Sequence, residues 1–179
     1  GVVGVDQFDL HADQLVQQTS MPEQVGKIAQ LVGRFRPEYT LFLDGGRMYG
    51  QSGLYVYTPF ELRRGNGMSI LVLRGWIPKD KSKMLTNTAW LTPLHELVVH
   101  GDLQSIPVSF PAGATAQSGP LRTSLSLEDF GGKDNPKLQP LVLRQMYSSQ
   151  WSGKDIKSDF FRRHWPDKFP SAATYYRQG

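Results

Sequence analysis

Apolar and polar residues alternate along the first part of the chain in the way that β-strands require. From Lys27 to Phe35 the alternation predicts a first strand, because neighbouring side chains of a strand point to opposite faces of a sheet. Tyr39 to Leu43 is predicted to form a second strand, with Arg36-Pro37-Glu38 as the connection. Upstream, apolar residues at loosely helical spacing predict a short helix over residues 6–18.

The clearest pattern in the sequence is that of a hairpin. Leu54 to Thr58 is rich in β-branched and aromatic residues, and Ser69 to Arg74 is a nearly continuous apolar run. Between them lies Gly65-Asn66-Gly67, a turn sequence that tolerates positive φ. We therefore predict two antiparallel strands, the first of which ends at Thr58-Pro59 because proline has no N–H for a sheet ladder.

The second half of the chain predicts more strands and few helices. Strands are expected over His95 to Leu103, Leu121 to Leu127 and Pro140 to Tyr147. The stretch 105–120 is rich in proline, glycine and small residues and is predicted to be a loop, and a helix is expected from Ser171 onward. The pattern predicts a mainly β (α+β) fold: an antiparallel sheet or partly closed barrel of about six strands, with short peripheral helices.

Length and composition indicate one globular domain that spans residues 1–179. The chain holds 9 Phe, 7 Tyr and 4 Trp, enough aromatic residues to exclude the disordered class. Its 20 basic and 16 acidic residues are mixed along the sequence, so the net charge of +4 does not form the stripe typical of nucleic-acid binders. No apolar run approaches the ~20 residues that span a bilayer, and the piece itself is predicted to be water-soluble.

Catalytic chemistry is not indicated. There is no cysteine, which removes thiolate nucleophiles and zinc–thiolate sites, and the common nucleophile, phosphate-loop and metalloprotease motifs are absent. Two carboxylate pairs, Glu96 with Asp102 and Glu128 with Asp129, are interpreted as solvated charges. Nothing in the sequence indicates the apolar pocket that would raise a carboxyl pKa for acid–base work.

The four histidines do not predict a metal site. His95 and His100 are separated by an odd number of positions, so on one strand they point to opposite faces. His164 lies in the sequence Phe160-Phe161-Arg162-Arg163-His164-Trp165-Pro166, where rings and cations could meet a porphyrin and its propionates. The same sequence is more typical of an amphipathic segment packed on the barrel, and we favour that interpretation. We predict no catalytic residue and no metal ligand.

One stretch resembles a known family. Gly53-Leu54-Tyr55-Val56-Tyr57-Thr58-Pro59-Phe60, followed after a turn by Ile70-Leu71-Val72-Leu73-Arg74-Gly75-Trp76-Ile77-Pro78, is similar to the signature of the surfeit locus protein 1 family. The resemblance extends from about Lys27 to Pro166. One departure lies before Arg74, where the family commonly has Asn and this chain has Leu73. A second is that no His follows His164, so the family's haem-ligating pattern cannot be transferred and no haem ligand is assigned.

The resemblance implies an accessory, non-enzymatic role in the assembly of cytochrome c oxidase of the respiratory chain. Members are associated with delivery of haem a or with chaperone-like stabilisation of the catalytic subunit during haem insertion. The implied partner is oxidase subunit one or its assembly intermediates. The implied location is the inner membrane, with this domain facing the periplasm or the mitochondrial intermembrane space between two membrane helices that lie outside it. Haem a is implied for the full-length protein, and no cofactor or nucleic acid is expected for this piece.

The family signature provides candidate contacts for the partner or for haem. These are Gly53, Tyr55, Thr58, Pro59, Arg74, Gly75, Trp76, His164 and Trp165. In one interpretation the hairpin exit displays Arg74 and Trp76, because arginine and tryptophan dominate interface energetics. In the other, the same residues only build the hairpin. Two alternative functions are a small barrel that binds an oligosaccharide or single-stranded nucleic acid, and a hydrolase that uses His100 or His164.

Overall fold

The fold is built from β-strands. The structure is a computed structural model that describes residues 24–80, 92–106, 119–126, 136–146, 150–151, 154–155 and 161–165, and within these ranges it contains no α-helix. A 3-10 turn at Pro37–Tyr39 joins the first two strands. In chain order the strands are β1 (Ile28–Phe35), β2 (Leu41–Met48), β3 (Gln51–Leu62), β4 (Met68–Pro78), β5 (Leu97–Ser105), β6 (Leu121–Arg122), β7 (Lys137–Gln145), β8 (Gln150–Trp151) and β9 (Lys154–Asp155).

Five strands close into a barrel in the order β1–β3–β4–β7–β5 and back to β1. Every pair in this ring is antiparallel except β4–β7, which is parallel. An odd number of strands cannot close with antiparallel pairs alone, so one parallel pair is a geometric necessity. Outside the ring, β2 pairs with β3, β6 with β2, and the short β8–β9 pair attaches to β5. The mainly β prediction is confirmed, with a barrel that is closed and a sheet that is mixed.

The barrel interior is filled by side chains from all five strands of the ring. This cluster comprises Ala29, Leu31, Phe35, Phe60, Leu62, Ile70, Val72, Leu97, Val99, Leu103, Leu141 and Leu143, none more than 3% exposed. A second cluster, which includes Tyr57, Leu71, Leu73 and Val142, covers the other face of β3, β4 and β7. Strand β4 is therefore buried on both faces. This burial explains its nearly continuous apolar run, which alternates between the two clusters.

Strand β1 closes the ring by changing partners along its length. Residues Ile28 to Gly33 pair with β5, and Gly33 to Phe35 pair with β3. Gly33 belongs to both registers, and a Cβ atom there would collide with the carbonyl oxygen of Glu61. A glycine is required at this corner because the backbones of β1 and β3 approach too closely for any side chain.

The predicted end of the first hairpin strand at Thr58-Pro59 is wrong. Strand β3 continues to Leu62, and Pro59 is buried within it, opposite Leu71 of β4. The Pro59 carbonyl accepts a hydrogen bond of 2.8 Å from the N–H of Arg36. The nitrogen and the carbonyl of one strand residue point to the same side, so the Pro59 ring nitrogen also faces the Arg36 side of β3. At this point β3 changes partner from β2 to β1, and no ladder donor is needed there.

The other strand predictions are confirmed with shifted ends. The hairpin of β3 and β4 turns at Gly65-Asn66-Gly67 as predicted, with positive φ at Asn66 and Gly67. β2 begins at Leu41, β5 at Leu97 and β7 at Lys137. Of the predicted Leu121 to Leu127 strand the structure describes residues 121–126, and among these only Leu121–Arg122 form a strand. The helices predicted over 6–18 and from Ser171 lie outside the described residues, as does most of the 105–120 loop. Within the described residues, no helix has the length and apolar character needed to cross a membrane.

We predict that Gly33→Ala lowers the free energy of unfolding by about 3 kcal/mol, because the added methyl forces β1 away from β3 at the closing corner. Urea unfolding followed by circular dichroism measures the change. The control is Gln30→Ala on the same strand, where the side chain is exposed and the expected change is within about 0.5 kcal/mol. Equal stabilities for the two variants would show that close approach at Gly33 does not limit barrel closure.

Candidate functional site

A β-bulge lies at the exit of the β3–β4 hairpin. Val56 pairs with Gly75 and Tyr57 pairs with Leu73, so Arg74 is an extra residue on β4 that faces no partner on β3. Bulges bend a strand and redirect a side chain, and they are frequent next to functional sites. Here the bulge lies inside the stretch that resembles the family signature, between Leu73 and Gly75.

The Arg74 side chain is buried, at 4% exposure, among hydroxyls and aromatic rings. Its Nη1 donates to Thr92 Oγ1 at 2.7 Å and lies 3.5 Å from Thr58 Oγ1, which in turn shares a 2.9 Å hydrogen bond with Thr40 Oγ1. The guanidinium carbon lies 4.6 Å from the ring centre of Phe35 and 4.5 Å from that of Phe161. A buried guanidinium is tolerated only where hydrogen-bond acceptors and aromatic ring faces replace the lost water, and this arrangement provides both.

Trp76, two residues further along, is fully buried. A Cβ atom at Gly53 would overlap the Trp76 indole, so the ring lies directly on the Gly53 backbone of the neighbouring strand. The indole Nε1 donates to the Gly46 carbonyl of β2 at 3.3 Å. Trp76 therefore ties β4 to the β2–β3 hairpin, and the glycine of the signature is explained by the space that the indole needs.

Residues 161–165, which we call the strap, cover this hairpin exit. Two backbone hydrogen bonds of 2.9 Å join Arg162 to Trp76 as an isolated antiparallel bridge. Arg163 Nε donates to the Arg74 carbonyl at 2.6 Å. Phe161 approaches Gly75 so closely that a Cβ atom at position 75 would overlap the Cβ atom of Phe161. The strap is thus bound to the hairpin by main-chain bonds at Trp76 and by packing at Gly75.

Trp165 extends the contact of the strap to the barrel wall. Its Nε1 donates to the Gln145 carbonyl of β7 at 2.7 Å, and its ring centre lies 6.1 Å from that of Tyr55. The Arg144 guanidinium lies 5.8 Å from the same indole. Arg144 also makes a two-point ion pair with Asp102 on β5, at 2.9 Å and 2.7 Å. The sequence predicted that Asp102 is a solvated charge, and for this residue the prediction is wrong. Asp102 is only 9% exposed and is bound to Arg144.

The strap also forms an exposed surface. The His164 side chain is exposed, and its ring centre lies 5.1 Å from that of Tyr49 at the β2–β3 turn. The Arg162 guanidinium lies 5.6 Å from the Tyr49 ring centre and 5.5 Å from that of Trp76. Tyr49, Arg162 and His164 thus form one cationic and aromatic surface above the buried Trp76. Among the described residues, no group of three or more His, Asp or Glu side chains could hold a metal ion.

The structure brings most of the predicted site residues together and buries the majority of them. Gly53, Tyr55, Thr58, Arg74, Gly75 and Trp76 meet at the hairpin exit, and His164 and Trp165 join them through the strap. Pro59 lies further along β3 at the change of strand partner. The expectation that the exit displays Arg74 and Trp76 is wrong, because the strap covers both side chains.

Sequence reasoning missed the residues that complete the site. Thr40 and Thr92 accept or share the hydrogen bonds near Arg74, and Phe161 covers its guanidinium. Tyr49 was not singled out because an isolated tyrosine beside glycines has no periodic signal. The one available signal was Arg74 itself, since an arginine at the end of an apolar run requires buried partners from elsewhere in the chain.

We predict that Arg74→Ala lowers the free energy of unfolding by about 3 kcal/mol, because it leaves a space between Phe35 and Phe161 and removes the donor to Thr92. Arg74→Met refills that space without the charge and should recover about half of the loss. The matched control is Arg64→Ala on the exposed β3–β4 turn, with a change within about 0.5 kcal/mol in urea unfolding. A loss no larger for Arg74→Ala than for Arg64→Ala would contradict the structural role.

A second prediction concerns alkaline pH. Burial raises the pKa of the Tyr57 phenol above its ordinary value of 10.0, and the nearby Tyr55 phenol adds to the effect. Below the ordinary pKa of 10.0 the phenol is neutral in both the folded and the unfolded chain, so its ionisation does not reduce the free energy of unfolding. Above it the unfolded phenol ionises while the folded one stays neutral, so stability falls as pH rises. Urea unfolding at a series of alkaline pH values should show a shallower fall for Tyr57→Phe, and an identical slope would disprove the contribution.

Comparison with known protein families gives a match over most of the chain. A family model described as the SURF1 family matches residues 5–172, a range that includes the hairpin, the bulge and the strap. No curated protein matches the chain. SURF1 proteins are assembly factors that are not known to be catalytic. Because the match covers most of the chain, the resemblance seen in the sequence is confirmed, and the chain belongs to the SURF1 family.

Proposed function

We propose that the protein is an accessory factor in the assembly of cytochrome c oxidase, whose barrel contacts the catalytic subunit or its assembly intermediates during haem a insertion. The observation that carries this proposal is the family match over residues 5–172, which is consistent with a role in oxidase assembly. The barrel adds a stable scaffold, since its interior is filled and its strand ring is closed. In this proposal no residue performs a chemical step.

The candidate residues have two roles in this proposal: some contact the partner subunit, and others hold those contact residues in place. His164 is exposed, and Tyr55 and Trp165 are half-buried, so these three side chains are available to a partner subunit. Arg74 and Trp76 support them from beneath, through the main-chain and carbonyl contacts that hold the strap. Rigid support of a few exposed rings favours binding, because little conformational entropy is then lost at the interface.

Haem a does not fit inside the described barrel. The interior positions are occupied by side chains that are 0–3% exposed, as expected for a small barrel whose width equals the reach of its own residues. The buried cation, Arg74, is committed to Thr92 and two rings. The exposed surface at Tyr49, Arg162 and His164 does combine rings with a guanidinium, but it lies outside the barrel. We therefore favour stabilisation of the catalytic subunit over carriage of the porphyrin by this domain.

The alternative functions find less support. A barrel that binds oligosaccharides or single-stranded nucleic acids would align exposed aromatic rings on one sheet face. Among the described residues, the exposed large hydrophobic side chains are those of Val25, Tyr49, Leu94 and Leu121, of which only one is aromatic. A hydrolase would require a nucleophile oriented by a histidine. His164 instead lies against the Tyr49 ring on the surface.

We also propose an inner-membrane location, with the barrel facing the periplasm or the intermembrane space and with membrane helices outside the described residues. SURF1 family proteins are membrane-associated, which supports this location. Fusion of a periplasmic-only reporter enzyme to the barrel tests the orientation.

We predict that the full-length native protein co-purifies with oxidase subunit one, and that His164→Ala weakens this association by about fivefold, the amount expected for loss of one moderate interface contact. The exposed His95→Ala is the matched control and should leave co-purification unchanged. Loss of the gene should lower the amount of haem a-containing oxidase without abolishing synthesis of its subunits. Normal oxidase activity without the gene would refute the assembly role.

A further inference from the structure

The turn between β2 and β3 carries a residue that is poorly suited to it. Tyr49 and Gly50 are the two turn residues, with φ values of 55° and 71°. Such a turn favours Asn or Gly, because positive φ brings a side chain close to its own backbone, and a bulky residue there is unfavourable. Tyr49 is nevertheless 59% exposed, and its ring contacts are with Arg162 and His164 on the surface and not with the core. Strain without burial points to a role for this ring outside folding.

Two guanidinium groups lie near the exposed ring. Arg162 lies over the Tyr49 ring and His164 lies against it. On the strand before the turn, Arg47 Nη2 donates to the Gly50 carbonyl at 2.9 Å, which holds a second guanidinium at the tip. The nearest acidic residue on this strand, Asp44, is paired with Lys79 at 3.0 Å and so does not neutralise the tip. We call Arg47, Tyr49, Gly50 and Arg162 the Tyr49 tip.

We propose that the Tyr49 tip docks on the surface of an anionic phospholipid bilayer. Arg47 and Arg162 would pair with headgroup phosphates, while the Tyr49 ring would enter the interface with its hydroxyl towards water. Tyrosine is enriched at membrane interfaces because it has an apolar ring and a polar end, and arginine beside an anionic leaflet gains electrostatic attraction. This inference is independent of the oxidase-assembly role.

The shape of the tip favours a bilayer over a protein partner. Arg47, Tyr49, Gly50 and the following Gln51 and Ser52 are all exposed, so the ring lies on a narrow exposed turn and is not part of a broad apolar face. A stable protein interface buries roughly 800 Å² on each side around a packed apolar centre. A single exposed ring with guanidinium groups nearby lacks that centre, but it complements a planar surface of anions into which one ring can insert.

Two exposed arginines far from the Tyr49 tip provide a control for the effect of net charge. Strand β3 is 12 residues long, so its two ends lie roughly 36 Å apart at 3.3 Å per residue. The Tyr49 tip is at one end, and the exposed Arg63 and Arg64 lie at the turn beyond the other end. Removal of a charge at Arg64 therefore changes the net charge of the protein by the same amount as removal at Arg162, but far from the proposed contact.

The test is flotation of the 179-residue chain with vesicles of phosphatidylcholine alone or mixed with phosphatidylglycerol. We expect binding to the mixed vesicles only. Arg162→Gln should weaken it by about fivefold, because one cation is lost while its main-chain bonds to Trp76 remain. Tyr49→Asn should weaken it by at least about threefold while keeping or raising stability, since Asn-Gly is the preferred sequence for this turn. Arg64→Gln should bind as the wild-type chain does.

Three results would overturn the inference. Equal weakening by Arg64→Gln and Arg162→Gln would show attraction to net charge alone. Unchanged binding of Tyr49→Asn would show that the ring does not enter the interface. Competition by inorganic phosphate or by a polyglutamate peptide at charge concentrations equal to that of the vesicles would show a site for free anions or acidic peptides. None of these outcomes depends on the oxidase, so failure here leaves the assembly role open to its own test.

Discussion

The burial of the Arg74 guanidinium is the constraint on which the hairpin exit depends. A permanently charged group inside a protein costs several kcal/mol unless donors, acceptors and ring faces replace its water. The chain meets this requirement with residues from four separate segments: Phe35 on β1, Thr58 on β3, Thr92 ahead of β5, and Phe161 in the strap. Each of these segments is fixed in place partly because the same cation contacts all of them.

The β-bulge at Arg74 places the guanidinium among these four segments. Without an extra residue on β4, the register set by Leu73 and Tyr57 would continue unchanged through Trp76. The bulge instead shifts the register by one residue, so that Arg74 lies between Phe35 and Phe161 while Trp76 packs on Gly53. The strap then closes over both residues through its pairing with Trp76. Arg74, Gly75 and Trp76 are thus each needed for the packing and charge balance of the hairpin exit, and they do not form an exposed recognition motif.

In this arrangement the buried residues hold the strap in place, and different, exposed residues are free to contact other molecules. The hairpin exit binds the strap through Trp76 and the Arg74 carbonyl, and the strap and the β2–β3 turn carry the exposed Tyr49, Arg162 and His164. The barrel itself has no described opening for a large cofactor, because side chains from all five strands fill it. Function in such a molecule depends on what its outer surface meets, which is in keeping with the role of an assembly factor.

The sequence by itself determined the strands, the main hairpin and its turn, and through the Gly-x-x-Val-x-Thr-Pro and Arg-Gly-Trp patterns it determined the family. These features are local: alternation, turn chemistry and a short motif are visible within a dozen residues. Only the tertiary structure decided that β1 closes the ring at Gly33, that Asp102 binds Arg144, and that Arg74 and Trp76 are covered. The covering residue Phe161 is separated from Arg74 by more than eighty positions, and Thr92 comes from a third segment. No periodic signal connects residues so distant in sequence, since their proximity results from the closed path of the whole sheet.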